Sequence, residues 1–190
     1  MPADPFDRWV ANYLVQDAHE VARLIHDKTT IHFLVAWSLF ETSCFGGEAG
    51  VNKFETFART FIDAKKFQSS DLMDTTNHFH NRYQDKKLYR NLMHKQKSQQ
   101  LESIRQKDFK SLSGYEIVYF VIFVVYRYRN NIFHGNKSVR SWLNFKPQIK
   151  WCIEVMQTFI TFVEALHKAA KQGDADAQKA LNNLNIDWGK

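Results

Sequence analysis

The sequence predicts an all-α fold, built as an antiparallel helical bundle, and three observations lead there. Only three prolines and seven glycines stand among 190 residues, too few breakers for a fold of many short strands. Apolar residues recur at three-and-four spacing along most of the chain. The one stretch of strong β propensity, Tyr115 to Tyr128, is about twice the length of a usual strand and has no second strand to pair with, so it reads as a buried helix. With 44% hydrophobic and 15% aromatic residues the chain can bury a sizeable core, and a single domain over residues 1–190 is expected, with its core at about 5–168.

Asp4-Pro5 opens the first helix, with aspartate capping free amides and proline at a position where its missing N–H costs nothing. One continuous helix is expected from there to Ile25, its inward face made by Phe6, Trp9, Val10, Tyr13, Leu14, Val21, Leu24 and Ile25. Ile31 to Glu41 is apolar almost all round and predicts a central helix, buried on most sides and ending at Gly46-Gly47. Glu41 reads either as a carboxylate at the core edge, paired with an arginine, or as a group near an active site. Asn52 and Glu55 have the spacing of a capping box for a third helix, with Phe54, Phe57, Ala58, Phe61 and Ile62 inward.

Residues 77–110 hold nine Lys and Arg against three Asp and Glu, a net +6 that equals the charge of the whole chain. Their sparse apolar positions predict an extended basic insertion of one or two exposed amphipathic helices: a solvated hairpin or a polyanion-facing surface helped by Tyr83 and Tyr89. His78 and His80 fall on different sides of a helix with no carboxylate pair beside them, so no metal site is expected, nor any cofactor. Pro147 opens a long amphipathic helix with Ile149, Cys152, Met156, Phe159, Val163 and Leu166 on one stripe. Gly173 ends it, and Asp174 caps a short C-terminal helical appendage within 174–190.

Cys44 and Cys152 sit inside apolar patterns without close partners, as reduced residues of a cytoplasmic protein would. The N-terminal residues are acidic where a signal peptide is basic, and the longest apolar run, Ile117 to Tyr126, is well short of the ~20 residues that cross a bilayer. No membrane association is expected.

The long apolar run ends in Arg127-Tyr128-Arg129-Asn130-Asn131-Ile132-Phe133-His134-Gly135-Asn136-Lys137. If the helix continues, Arg127, Asn130 and His134 share a face and Arg129 lies off it; if the chain turns at Asn130-Asn131, Arg129 swings to the side of His134. Either way, a histidine that moves protons near neutral pH stands close to an always-charged phosphate donor and to orienting amides. Those parts suffice for RNA cleavage, because the substrate supplies its own 2′-hydroxyl nucleophile. Arg129, Asn130 and His134 are the catalytic candidates, and Arg127, Asn131 and Lys137 the substrate-binding candidates. The competing reading is a polar plug that ties the bundle together.

Arg129-Asn130-Asn131-Ile132-Phe133-His134-Gly135 resembles the signature of the HEPN superfamily, in which an arginine followed by a polar residue precedes a histidine by four to six positions. The apolar helix before the motif, the amphipathic helix after it and the helix ending at Glu41 are similar as well, over Ile31 to Lys168. The resemblance implies an all-α bundle of the HEPN type, commonly a homodimer with two motifs facing each other, and often a ribonuclease of toxin–antitoxin, phage-defence or RNA-processing systems. It implies His134 as general acid or base, Arg129 as transition-state cation and Asn130 as orienting group, with RNA and a cognate antitoxin or partner protein as partners. The family also contains inactive members that bind nucleotides or proteins.

Overall fold

The computed structural model describes residues 4–64, 68–133 and 145–185, and every regular element among them is helical. The elements are α1 (Pro5–Leu14), α2 (Ala18–Ile25), α3 (Lys28–Phe45), α4 (Val51–Asp63), α5 (Met73–Arg82), α6 (Lys86–Met93), α7 (Gln99–Gln106), α8 (Gly114–Phe133), α9 (Lys146–Lys171) and α10 (Ala175–Leu184). Short 3₁₀ turns at Ser69–Leu72 and Phe109–Ser111 lead into α5 and α8.

The β-rich run is helical, as length and isolation require, and it is the hub of the fold. α8 buries Ile117 through Val125 without interruption, and α4, α5, α6, α7 and α9 all pack on it. A valine-rich sequence becomes a helix here because every side of it meets another helix, so burial outweighs the few tenths of a kcal/mol by which β-branching disfavours the helical state per residue. α3 lies along α9, and their shared seam with α4 is aromatic: Phe57 meets Phe159 edge-on at 5.2 Å and Phe40 meets Phe45 at 5.2 Å.

Four expectations change. The first helix is two: α1 stops at Val15 in a left-handed conformation (φ 54°), and Asp17 starts α2 by accepting from the His19 and Glu20 amides. The apolar core of that hairpin is small, centred on Val10, Ala11 and Val21, while Phe6, Trp9 and Tyr13 face outward. α3 is not covered on most sides, since Ile31, Val35 and Leu39 form an exposed stripe at four-residue spacing. α4 starts at Val51 with Gly50 as a cap that lends no side chain, and Glu55 pairs with Arg59 instead of closing a capping box. The C-terminal helix is no appendage, because α10 packs on α9 and α4 and places Ala177, Ala180 and Leu181 in the main core.

The basic segment is also more than a solvated hairpin. Phe79, Tyr83, Leu92, Leu101 and Ile104 are buried in the main core, and Tyr83 donates its hydroxyl proton to Tyr128 at 2.9 Å, beneath the surface. Arg105 is buried too, forked onto Glu102 and stacked 4.9 Å from the Tyr89 ring. Cys44 and Cys152 are free and buried. Among the described residues, no helix is long and apolar enough to cross a membrane.

Candidate active site at the end of α8

α8 stays helical through Asn130, Asn131 and Phe133, so the continuous-helix alternative holds that far. Its last two turns present polar side chains on different sides, because residues two apart on a helix point roughly 200° from one another. Arg129 turns toward α3. Its guanidinium lies 5.4 Å from the Trp37 ring centroid and 5.3 Å from that of Phe133, while Nη1 donates to Asn130 Oδ1 at 3.0 Å. The Nε of Arg129 has no partner, and no carboxylate lies within ion-pair distance of the group among the described residues. The guanidinium is half-buried and held over two rings, with no counter-charge among the described residues.

The Trp37 platform is itself anchored. Its indole Nε1 donates to Glu41 Oε2 at 3.0 Å, and the other Glu41 oxygen accepts from the Ala49 amide at 3.1 Å. Glu41 therefore fixes the ring on which Arg129 rests and ties the end of α3 to the following loop; among the described residues it has no arginine partner. The i, i+4 spacing of Trp37 and Glu41 is legible in the sequence, but that Trp37 would meet Arg129, 92 positions later, is not.

Arg127 and Asn131 turn the opposite way, and their substrate-binding assignment is corrected. Arg127 is 4% exposed. It donates from Nε to the Leu92 carbonyl at 3.3 Å and from Nη2 to the Met93 carbonyl at 3.0 Å. Asn131 donates from Nδ2 to the same Leu92 carbonyl at 2.9 Å and accepts from Arg127 through Oδ1. The two side chains clasp the C-terminus of α6, where the last carbonyls of a helix lack intrahelical partners and carry its partial negative charge. Burial pulls the Arg127 pKa below its ordinary value. Asn130 is buried as well, and its carbonyl oxygen serves Arg129. His134 and Lys137, along with Gly135 and Asn136, lie outside the described residues.

Two further features frame the site. On the α6 side of α8, Arg82, Tyr83, Leu88, Tyr128, Ile132 and Phe145 line a mostly apolar cavity of about 50 Å³. Burial pushes the Tyr128 and Tyr83 phenols well above their ordinary range, so both stay protonated there. The basic residues Arg90, Lys95 and Lys97 border a shallow groove at the α6–α7 turn, which is not the side that Arg129 faces. Of the segment's histidines, His78 stacks on Trp151 at 5.3 Å and His80 is buried between Phe109 and Phe120, so each serves packing. No protein-family model matches this sequence, and comparisons with curated proteins and with solved structures return no match.

Proposed function

We propose that the chain is a metal-independent endoribonuclease of the HEPN type, acting as a homodimer in which two α8 ends approach one another. The observation that carries this reading is Arg129: a half-buried cation without a counter-charge among the described residues, mounted on an anchored tryptophan where the polar motif begins. In the proposed reaction the RNA 2′-oxygen attacks the adjacent phosphorus and the 5′-oxygen leaves, giving a 2′,3′-cyclic phosphate and a 5′-hydroxyl. His134 takes the 2′-hydroxyl proton or returns one to the leaving oxygen, and Arg129 neutralises the charge that grows on the phosphorane oxygens. Asn130 holds Arg129 in register.

The test is incubation of the purified chain with mixed RNA in excess chelator, followed by end-group analysis. Cyclic phosphate termini that disappear in both His134→Ala and Arg129→Ala support the reading, with losses of at least ~100-fold. Absent cleavage, or cleavage indifferent to both changes, refutes it.

A second reading, a non-catalytic HEPN-like module for dimerisation or for binding a nucleotide or protein, is favoured by the exposed stripe Ile31, Val35 and Leu39 with Phe133. Helical modules that bind by apolar faces leave such stripes open. Light scattering on Val35→Glu separates the two: a dimer that dissociates while no RNA is ever cut favours the module.

A further inference from the structure

The N-terminal hairpin holds polar groups that neither the bundle nor the α8 site uses. Asp4 and Asp7 stand three residues apart at the start of α1, and His26 follows the end of α2. One ligand atom from each lies within 4.8 Å of the others, and His26 Nε2 is 3.0 Å from Asp7 Oδ2. The Asp7 side chain is only 1% exposed, yet its Oδ1 has no donor within reach among the described residues. A buried carboxylate oxygen without a hydrogen-bond donor is a costly group to leave unfilled.

We infer that Asp4, Asp7 and His26 form a structural site for one divalent transition-metal ion of the Zn²⁺ class, a clasp across the mouth of the α1–α2 hairpin. Two carboxylates and one imidazole are a donor set that suits such an ion, with a water in the fourth position. Ligands bonded at about 2.0–2.1 Å in a tetrahedron stand ~3.3 Å apart. The His26–Asp7 pair is already inside that separation, and Asp4, exposed at the helix cap, has the freedom to close the remainder. The ion would take the place of the hydrogen between His26 Nε2 and Asp7 Oδ2, and a bidentate Asp7 carboxylate would bring the orphaned Oδ1 onto it as well.

The location fits a staple. The hairpin's own core is Val10, Ala11 and Val21, with Leu14, Ala18 and Ile25 partly buried around it, and α1 and α2 pack chiefly on each other. So small a core gains most from a cross-link at its open end, where one helix begins and the other stops. His26 also directly precedes Asp27, which caps α3 and accepts from Lys146 Nζ at 2.7 Å, so a fixed His26 would hold the hairpin against the start of α9.

The experiment is calorimetric titration of the chelator-stripped, full-length chain with Zn²⁺, Mn²⁺ and Mg²⁺ in separate runs. One Zn²⁺ per chain is expected, with Mg²⁺ weaker by at least ~10-fold because it takes oxygen ligands. His26→Gln, which leaves the α1 cap intact, and Asp7→Asn should each weaken Zn²⁺ binding by ~10-fold or more. Bound Zn²⁺ should slow amide exchange across residues 5–25 in the parent chain and not in His26→Gln. No binding, binding that survives both substitutions, or a bound ion that leaves exchange in the hairpin unchanged would overturn the assignment. Because the cleavage assay is run in chelator, its outcome does not bear on this one.

Discussion

Replacing Arg127 separates a structural clasp from a substrate contact, since the two assign its three hydrogen bonds to different tasks. In the fold, the Met93 carbonyl keeps the Gln96 amide at 2.9 Å and the Leu92 carbonyl keeps Asn131 when Arg127 is removed, so what is lost is the guanidinium's own hydrogen bonds. No backbone carbonyl is left unpaired, and losing a charged hydrogen bond costs about 1.5–3 kcal/mol. Relief of the buried guanidinium's own desolvation offsets part of that sum. Arg127→Ala should therefore lose about 1–3 kcal/mol, read as a lower midpoint in urea at constant slope. Arg127→Lys, which keeps charge and loses the fork, should fall between. Amide exchange should accelerate first in α6, residues 86–93, because its end is what comes loose. A variant whose stability stays within ~0.5 kcal/mol of the parent, with α6 exchange unchanged, would refute the clasp. If that same variant lost RNA affinity, Arg127 would return to the substrate side.

Phe159 meets Phe40, Phe57 and Phe61 and is fully buried, so Phe159→Ala should cost about 3–5 kcal/mol in the same assay, and Phe159→Leu clearly less. His80 is buried with Nε2 unpartnered, and burial holds its pKa below the ordinary value. The unfolded chain then takes up the proton first: the stabilisation is complete above the unfolded pKa of ~6.5 and fades as pH falls below it. Denaturation at pH 7.5 and 5.5 should show that loss, and His80→Met should flatten it; an unchanged slope sinks the argument. Val15 is β-branched, exposed and left-handed at φ 54°, a conformation that costs such residues about 1–2 kcal/mol, so Val15→Asn should raise the thermal midpoint. A lower midpoint would mean the turn is not strained.

Much of this fold is written locally. Asp4 with Pro5 at the start of α1, Gly46 at the end of α3, Pro147 at the start of α9, and the Gly173-Asp174 pair between α9 and α10 all stand where the sequence puts them, because a cap acts within four residues of itself. The break at Val15 was also there to be read. Asp17-Ala18-His19-Glu20 has the spacing of a helix start, but continuous apolar periodicity on both sides hid it. The inward faces of α4 and α9 follow from spacing alone, whereas the outward turn of Phe6, Trp9 and Tyr13 does not, since periodicity finds an apolar stripe without saying what covers it.

The polar cluster at the end of α8 divides along the same line. Sequence by itself determined that a long apolar helix would close in a group of arginines and asparagines, and it ranked Arg129 above Arg127. It had no means of sorting the partners. Arg127 and Arg129 are the same residue type two positions apart, and only the packing of α6 on one side of α8 and α3 on the other makes one a buried clasp for Leu92 and Met93 and the other a half-buried cation over Trp37 with no carboxylate partner among the described residues. Local rules reach about one helical turn, whereas burial and hydrogen-bond partners are fixed by residues 34, 35 and 92 positions away. For that reason the tertiary structure alone decided which of these charges is spent inside the fold and which stays half-exposed.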